Sequence, residues 1–114
     1  MLRHFILYDG NEAKRIGVLL YNTKNKGFSM SIRDDIPLED MPLSIELLVC
    51  KGVYTVGHED TLRWVRSRIC PPGRQNINSI LKHIGLKEYD EFGILFHTKA
   101  VSDKDNVYMV EVDE

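Results

Sequence analysis

Residues 5–32, FILYDGNEAKRIGVLLYNTKNKGFSMSI, hold three apolar runs separated by two polar links. Phe5-Ile6-Leu7-Tyr8 is a short β-prone run closed by Asp9-Gly10-Asn11, a strong turn signal. The second run, Ile16 to Tyr21, ends at Asn22-Thr23-Lys24-Asn25-Lys26-Gly27, a polar loop of hairpin length. Phe28-Ser29-Met30-Ser31-Ile32 then alternates apolar and polar with period two, as a strand with one buried face requires. Three strands with two tight links predict an antiparallel meander.

Beyond the meander the punctuation changes. Residues 34–42 contain two prolines and four acids and read as a loop with room for a single helical turn. Pro42 to Val49 fits either a strand, through Leu43, Ile45 and Leu47, or a helix. Gly52 and Gly57 bracket a loop or short strand at Val53 to Val56. From His58 to Ile69, acids Glu59 and Asp60 open the segment and Arg66 and Arg68 close it, which suits a helix dipole. Leu62, Val65 and Ile69 share one face of that helix, and Pro71-Pro72 ends it. A second helix carries Ile77, Ile80, Leu81 and Ile84 at helical spacing, with Gly85-Leu86 as its C-terminal stop. Asp90 is placed to cap a third, with Phe92, Leu95 and Phe96 inward. Ser102 to Asn106 is a polar turn, and Val107 to Val112 is a last strand with Tyr108, Val110 and Val112 on one face. The expected fold is therefore α+β: a small antiparallel sheet, built from the N-terminal meander plus the C-terminal strand, with three short helices.

The bulk numbers fit one domain spanning residues 1–114. The chain is 43% hydrophobic and 28% charged with a formal net charge of −2, so no global basic field draws it to nucleic acid or membrane. Two cysteines, Cys50 and Cys70, are too few for a secreted disulfide framework. No signal peptide opens the chain, and no apolar stretch reaches the ~20 residues of a membrane span. A cytoplasmic protein is expected.

The search for chemistry returns little. The four histidines are scattered, and Cys50, His58 and Cys70 lack the spacing of a zinc site. No Gly-x-Ser-x-Gly occurs, and the acids of residues 33–40 do not follow a calcium-loop pattern. Pro71-Pro72-Gly73-Arg74 is read as a proline-forced corner rather than a phosphate cradle. No metal, no cofactor and no enzymatic activity are expected. Two features suggest binding. Arg63, Arg66, Arg68, Arg74 and Lys82 cluster around the corner and allow a DNA- or RNA-binding regulator. Trp64 lies nearly opposite the Leu62–Val65–Ile69 face with Arg68 one turn on. It is either an interface anchor or a core ring covered by another element.

Several segments taken together resemble the first N-terminal subdomain of the HipA family of serine/threonine kinases, the toxin kinases of bacterial toxin–antitoxin modules. Ile16-Gly17-Val18-Leu19 is similar to that family's V-G-x-L strand, and Phe28 to Ile32 to its F-x-F-x-Y strand. Pro42-Leu43-Ser44-Ile45 resembles P-L-S-L, and Arg68 to Arg74 resembles L-L-P-E-G and the arginine that follows. Ile84-Gly85-Leu86, Asp90, Phe92 and Ile94-Leu95 match L-G-L … D-x-F-x-L-L. Thr98 to Asp103 departs from the family's Gly-Arg-Asp-Cys-x-Gly-Ala, and the kinase core is absent. The resemblance implies a non-catalytic small subunit, an antitoxin or regulator that binds a HipA-like serine/threonine kinase. A DNA-binding antitoxin would be reached only through that complex. Trp64, Arg68 and Arg74 are the expected partner-binding residues.

Overall fold

A computed structural model describes residues 2–10, 13–49, 51–102 and 105–112. Cys50, like Asn11 and Asp103, lies outside the described residues. The meander is present as β1 (Leu2–Asp9), β2 (Lys14–Asn22) and β3 (Gly27–Ile32), each strand antiparallel to the next. Asn22 and Asn25 shape the second link, their side-chain oxygens accepting from the Lys24 and Gly27 N–H groups at 2.9 and 2.8 Å. The first link follows a β-bulge at Leu7/Tyr8, which leaves Ile16 buried at the end of β2.

A two-residue strand, β4 (Thr55–Val56), borders β3, and β5 (Val107–Val112) returns beside β1. The sheet order is β4-β3-β2-β1-β5, all antiparallel. Within the regular strands the buried side chains fall on one face: Phe5, Leu7, Leu19, Tyr21, Phe28, Met30, Val107 and Met109. These join the helical side chains in one core.

Four α-helices are present where three were expected. The undecided segment is α1 (Leu43–Val49), with Ile45 and Val49 buried one turn apart. The Pro42 carbonyl accepts from Ile45 and Glu46, so the proline sits where a missing N–H costs nothing. The acidic loop before it contains a 3-10 turn at Leu38–Asp40.

α2 (His58–Arg66) ends earlier than its charge pattern suggests, and the buried face keeps Val65 and Ile69 but extends beyond them. Thr61, Trp64, Val65 and Arg68 are buried, whereas Leu62 is only partly covered. The Thr61 hydroxyl donates to the Val56 carbonyl at 3.3 Å, which makes a polar residue acceptable inside. α3 (Ile77–His83) ends as expected at Gly85, whose φ of +84° permits the 2.8 Å bond from Leu86 N–H to the Leu81 carbonyl. α4 (Glu91–Thr98) starts at Asp90, whose carboxylate accepts the Gly93 N–H at 3.0 Å. Phe92 and Leu95 point inward, but Phe96 is 43% exposed.

Candidate functional site

Trp64 and Arg68 are neither solvent-facing nor an exposed pair. They are 4% and 8% exposed, and the Arg68 guanidinium lies 4.6 Å from the Trp64 ring centroid. Of the two roles open to Trp64, interface anchor or covered core ring, its burial is that of the core ring; the anchor reading rested on Leu62 marking the inner face. Thr61 marks it instead, and Trp64, one turn on, follows it in.

Arg68 is the centre of a buried polar knot. Nη2 and Nη1 donate to the two carboxylate oxygens of Asp105 at 2.6 and 2.9 Å. Nε donates to the Ala100 carbonyl at 2.7 Å, and Nη2 also reaches the Val107 carbonyl at 3.2 Å. Asp105 accepts further bonds from the Ser44 hydroxyl at 2.7 Å and the Val107 N–H at 3.0 Å. Burial pushes the Asp105 carboxyl up. Hydrogen bonds from Arg68, Val107 N–H and Ser44 outweigh burial and hold the group below its ordinary value. One bidentate pair thus ties α1, the end of α2, the segment after α4 and β5 together. Its donors are spent internally. In the sequence Asp105 is one residue of a polar turn, and only the fold brings it to Arg68.

Arg74 is exposed at the corner between α2 and α3, so the three expected contact residues do not form one surface. The corner itself is pinned by the Tyr89 hydroxyl, which donates to the Cys70 carbonyl at 2.7 Å. The wider arginine cluster is largely neutralised. Arg63 pairs with Asp60, Arg66 with Glu91 and Arg68 with Asp105. Phosphate contacts need such charges unspent. Next to Trp64, α1 exposes Leu43 and Leu47, each 67%, around a cavity of about 350 Å³ that Trp64 also lines.

Among the described residues, a contiguous apolar surface lies on the sheet's second face. Antiparallel register places Val18 and Val110 on either side of Ile6, and Leu20 and Val112 on either side of His4. Tyr8 stacks on Tyr108 on the same face, with ring centroids 5.4 Å apart. These side chains are partly to substantially exposed, and Val110 reaches 45%. A sheet with one solvated face ordinarily shows polar residues there. Ser29 and Ser31 on β3 follow that rule; β1, β2 and β5 break it.

Comparisons with protein-family models, curated proteins and solved structures give no match to this chain. Among the described residues, no helix is long and apolar enough to cross a membrane, and no three His, Cys, Asp or Glu side chains converge as metal ligands.

Proposed function

We propose that this chain is a non-catalytic protein-binding module, the antitoxin-like or regulatory small subunit of a HipA-like serine/threonine kinase. The observation that carries the binding role is the apolar second face of the sheet, centred on Ile6, Val18, Leu20, Val110 and Val112. β1, β2 and β5 are apolar on both sides, yet the core covers one side only. Contiguous exposed apolar surface of this kind marks an interaction site. The kinase as partner is supported by the segments that resemble the HipA N-terminal subdomain. Binding would restrain the kinase by occlusion, with the sheet face against it and Arg74 as the remaining exposed contact of the three expected ones.

Tagged chain incubated with lysate of its native host should enrich a HipA-like kinase, and adding the purified chain should lower that kinase's phosphorylation rate. Val110→Lys places a charge in the middle of the exposed face. It should weaken kinase capture about tenfold or more while leaving the melting temperature nearly unchanged. Capture of only nuclease-sensitive material, or full-strength kinase binding by Val110→Lys, would overturn the assignment.

A further inference from the structure

The edge of β5 is covered along half its length and open along the rest. The Met109 N–H donates to the Lys99 carbonyl, 2.9 Å away on the side opposite β1. Antiparallel strands alternate their bonding direction, so Val107, Met109 and Glu111 all turn their main-chain groups to the free edge. Val107 is satisfied on that edge: its N–H by Asp105 and its carbonyl by Arg68. Met109 is half satisfied by Lys99. Among the described residues, none bonds the Met109 carbonyl or the two main-chain groups of Glu111, which are placed to pair with an incoming strand.

A cleft of about 730 Å³ lies on the helix side of this open stretch, lined by Phe5, Ile84, Leu86, Phe92, Phe96 and Met109. Phe96 stands partly exposed on its wall. Two acids on the rim are engaged: Asp90 caps α4, and Glu111 accepts two bonds from Arg3 at 2.8 and 2.7 Å. Lys99 is exposed on the same rim. Main-chain vacancies beside a pocket for alternate side chains are what strand addition uses.

We infer that the open half of β5 binds an extended peptide segment of a partner protein. Glu111 would exchange both of its main-chain bonds with one peptide residue. The adjacent peptide side chain that enters the cleft is aromatic or aliphatic, and an acidic residue beside it faces Lys99. A second copy of this chain fits poorly. Among the described residues of β5 only Glu111 has both groups open, so symmetric pairing opposes Glu111 to Glu111 and crowds two Arg3–Glu111 ion pairs against each other. Val110 borders both this cleft and the sheet's outer face, but the open main-chain groups lie on the β5 edge, so loss of kinase capture leaves the peptide site standing.

The test is selection of random short peptides displayed on phage against the full chain. Enriched peptides should pair an aromatic or aliphatic residue with a neighbouring Asp or Glu. Glu111→Pro deletes the outward N–H, at a position where edge strands tolerate proline, together with the carboxylate that accepts from Arg3; Glu111→Gln removes the carboxylate charge but not the N–H. Glu111→Pro should weaken the selected peptides about tenfold or more, while Glu111→Gln retains affinity to within about threefold. Independently of how Glu111→Pro folds, bound peptide should slow hydrogen exchange of the wild-type Glu111 amide about tenfold or more. Failure to enrich any peptide, peptides that leave Glu111 exchange unchanged, or a concentration-dependent dimer that competes with them would each overturn the inference.

Discussion

Asp105→Ala is expected to destabilise the fold by about 3–5 kcal/mol, because it strands the Arg68 guanidinium in the interior without its counter-charge. The Arg68 side chain is 1% exposed, so water cannot replace the lost carboxylate without local opening. The substitution also leaves Ser44 Oγ and the Val107 N–H without their acceptor. For a domain of this size the loss corresponds to a fall in Tm of more than about 10 °C. Arg68→Met alone should be similarly severe, since it leaves Asp105 and the Ala100 and Val107 carbonyls short of a donor. The double variant Arg68→Met/Asp105→Ala removes both charges. It should recover part of the loss but not all, because the two carbonyls stay unpaired. Urea unfolding of the four proteins gives the coupling, expected at about 1–3 kcal/mol. A cost below about 1 kcal/mol for Asp105→Ala would show that the pair is not a structural tie.

The same pair sets an acid limit. Asp105 is held below its ordinary value of 3.8 in the folded chain, so the unfolded chain binds its proton first as pH falls. The contribution is fully present above about pH 4 and is lost as pH drops through the lowered folded value. Asp105→Ala should therefore flatten the stability profile in that acidic range relative to the wild type. An unchanged profile would assign the acid sensitivity to other carboxylates.

Much of the architecture can be read from local signals. The meander follows from polar links at Asp9-Gly10 and Asn22 to Gly27, and from the period-two pattern at Phe28 to Ile32. The ends of α3 and α4 follow from Gly85 and Asp90, which act within one turn of themselves. What escaped reading depends on contacts distant in the chain. α1 is undecided by periodicity because Leu43, Ile45 and Leu47 suit a strand while Ile45 and Val49 suit a helix. The inward face of α2 holds Val65 and Ile69, as the apolar pattern predicts, but its full width is not legible because Thr61 and Arg68 are polar, and each is buried by virtue of a partner elsewhere: the Val56 carbonyl and Asp105. His58 is exposed, as it reads, but the hydrogen bond its Nδ1 accepts from the Phe28 N–H at 3.0 Å depends on the fold. The candidate binding face was legible in part. Tyr108, Val110 and Val112 do share a face, but it is the one turned away from Val107 and Met109 in the core.

Trp64→Ala separates the two roles open to this residue, and it is expected to behave as a core truncation costing about 3–5 kcal/mol. The ring is 4% exposed and lies beneath the Arg68 guanidinium, so truncation opens a cavity and removes the surface on which the central arginine rests. Among the described residues no acceptor reaches the buried Nε1–H. Trp64→Phe loses ring area but also removes that donor, so the two effects oppose each other and the cost should stay below about 1.5 kcal/mol. If Trp64 were a contact residue, both variants would weaken partner binding before they affected folding. As a core residue, Trp64→Phe should bind a partner as the wild type does, while Trp64→Ala melts at a clearly lower temperature. Thermal unfolding of the three proteins, with partner titrations below the lowest Tm, distinguishes these cases. A wild-type melting temperature for Trp64→Ala combined with lost binding would return the tryptophan to the interface and require the surface around Leu43 and Leu47 to open toward the partner.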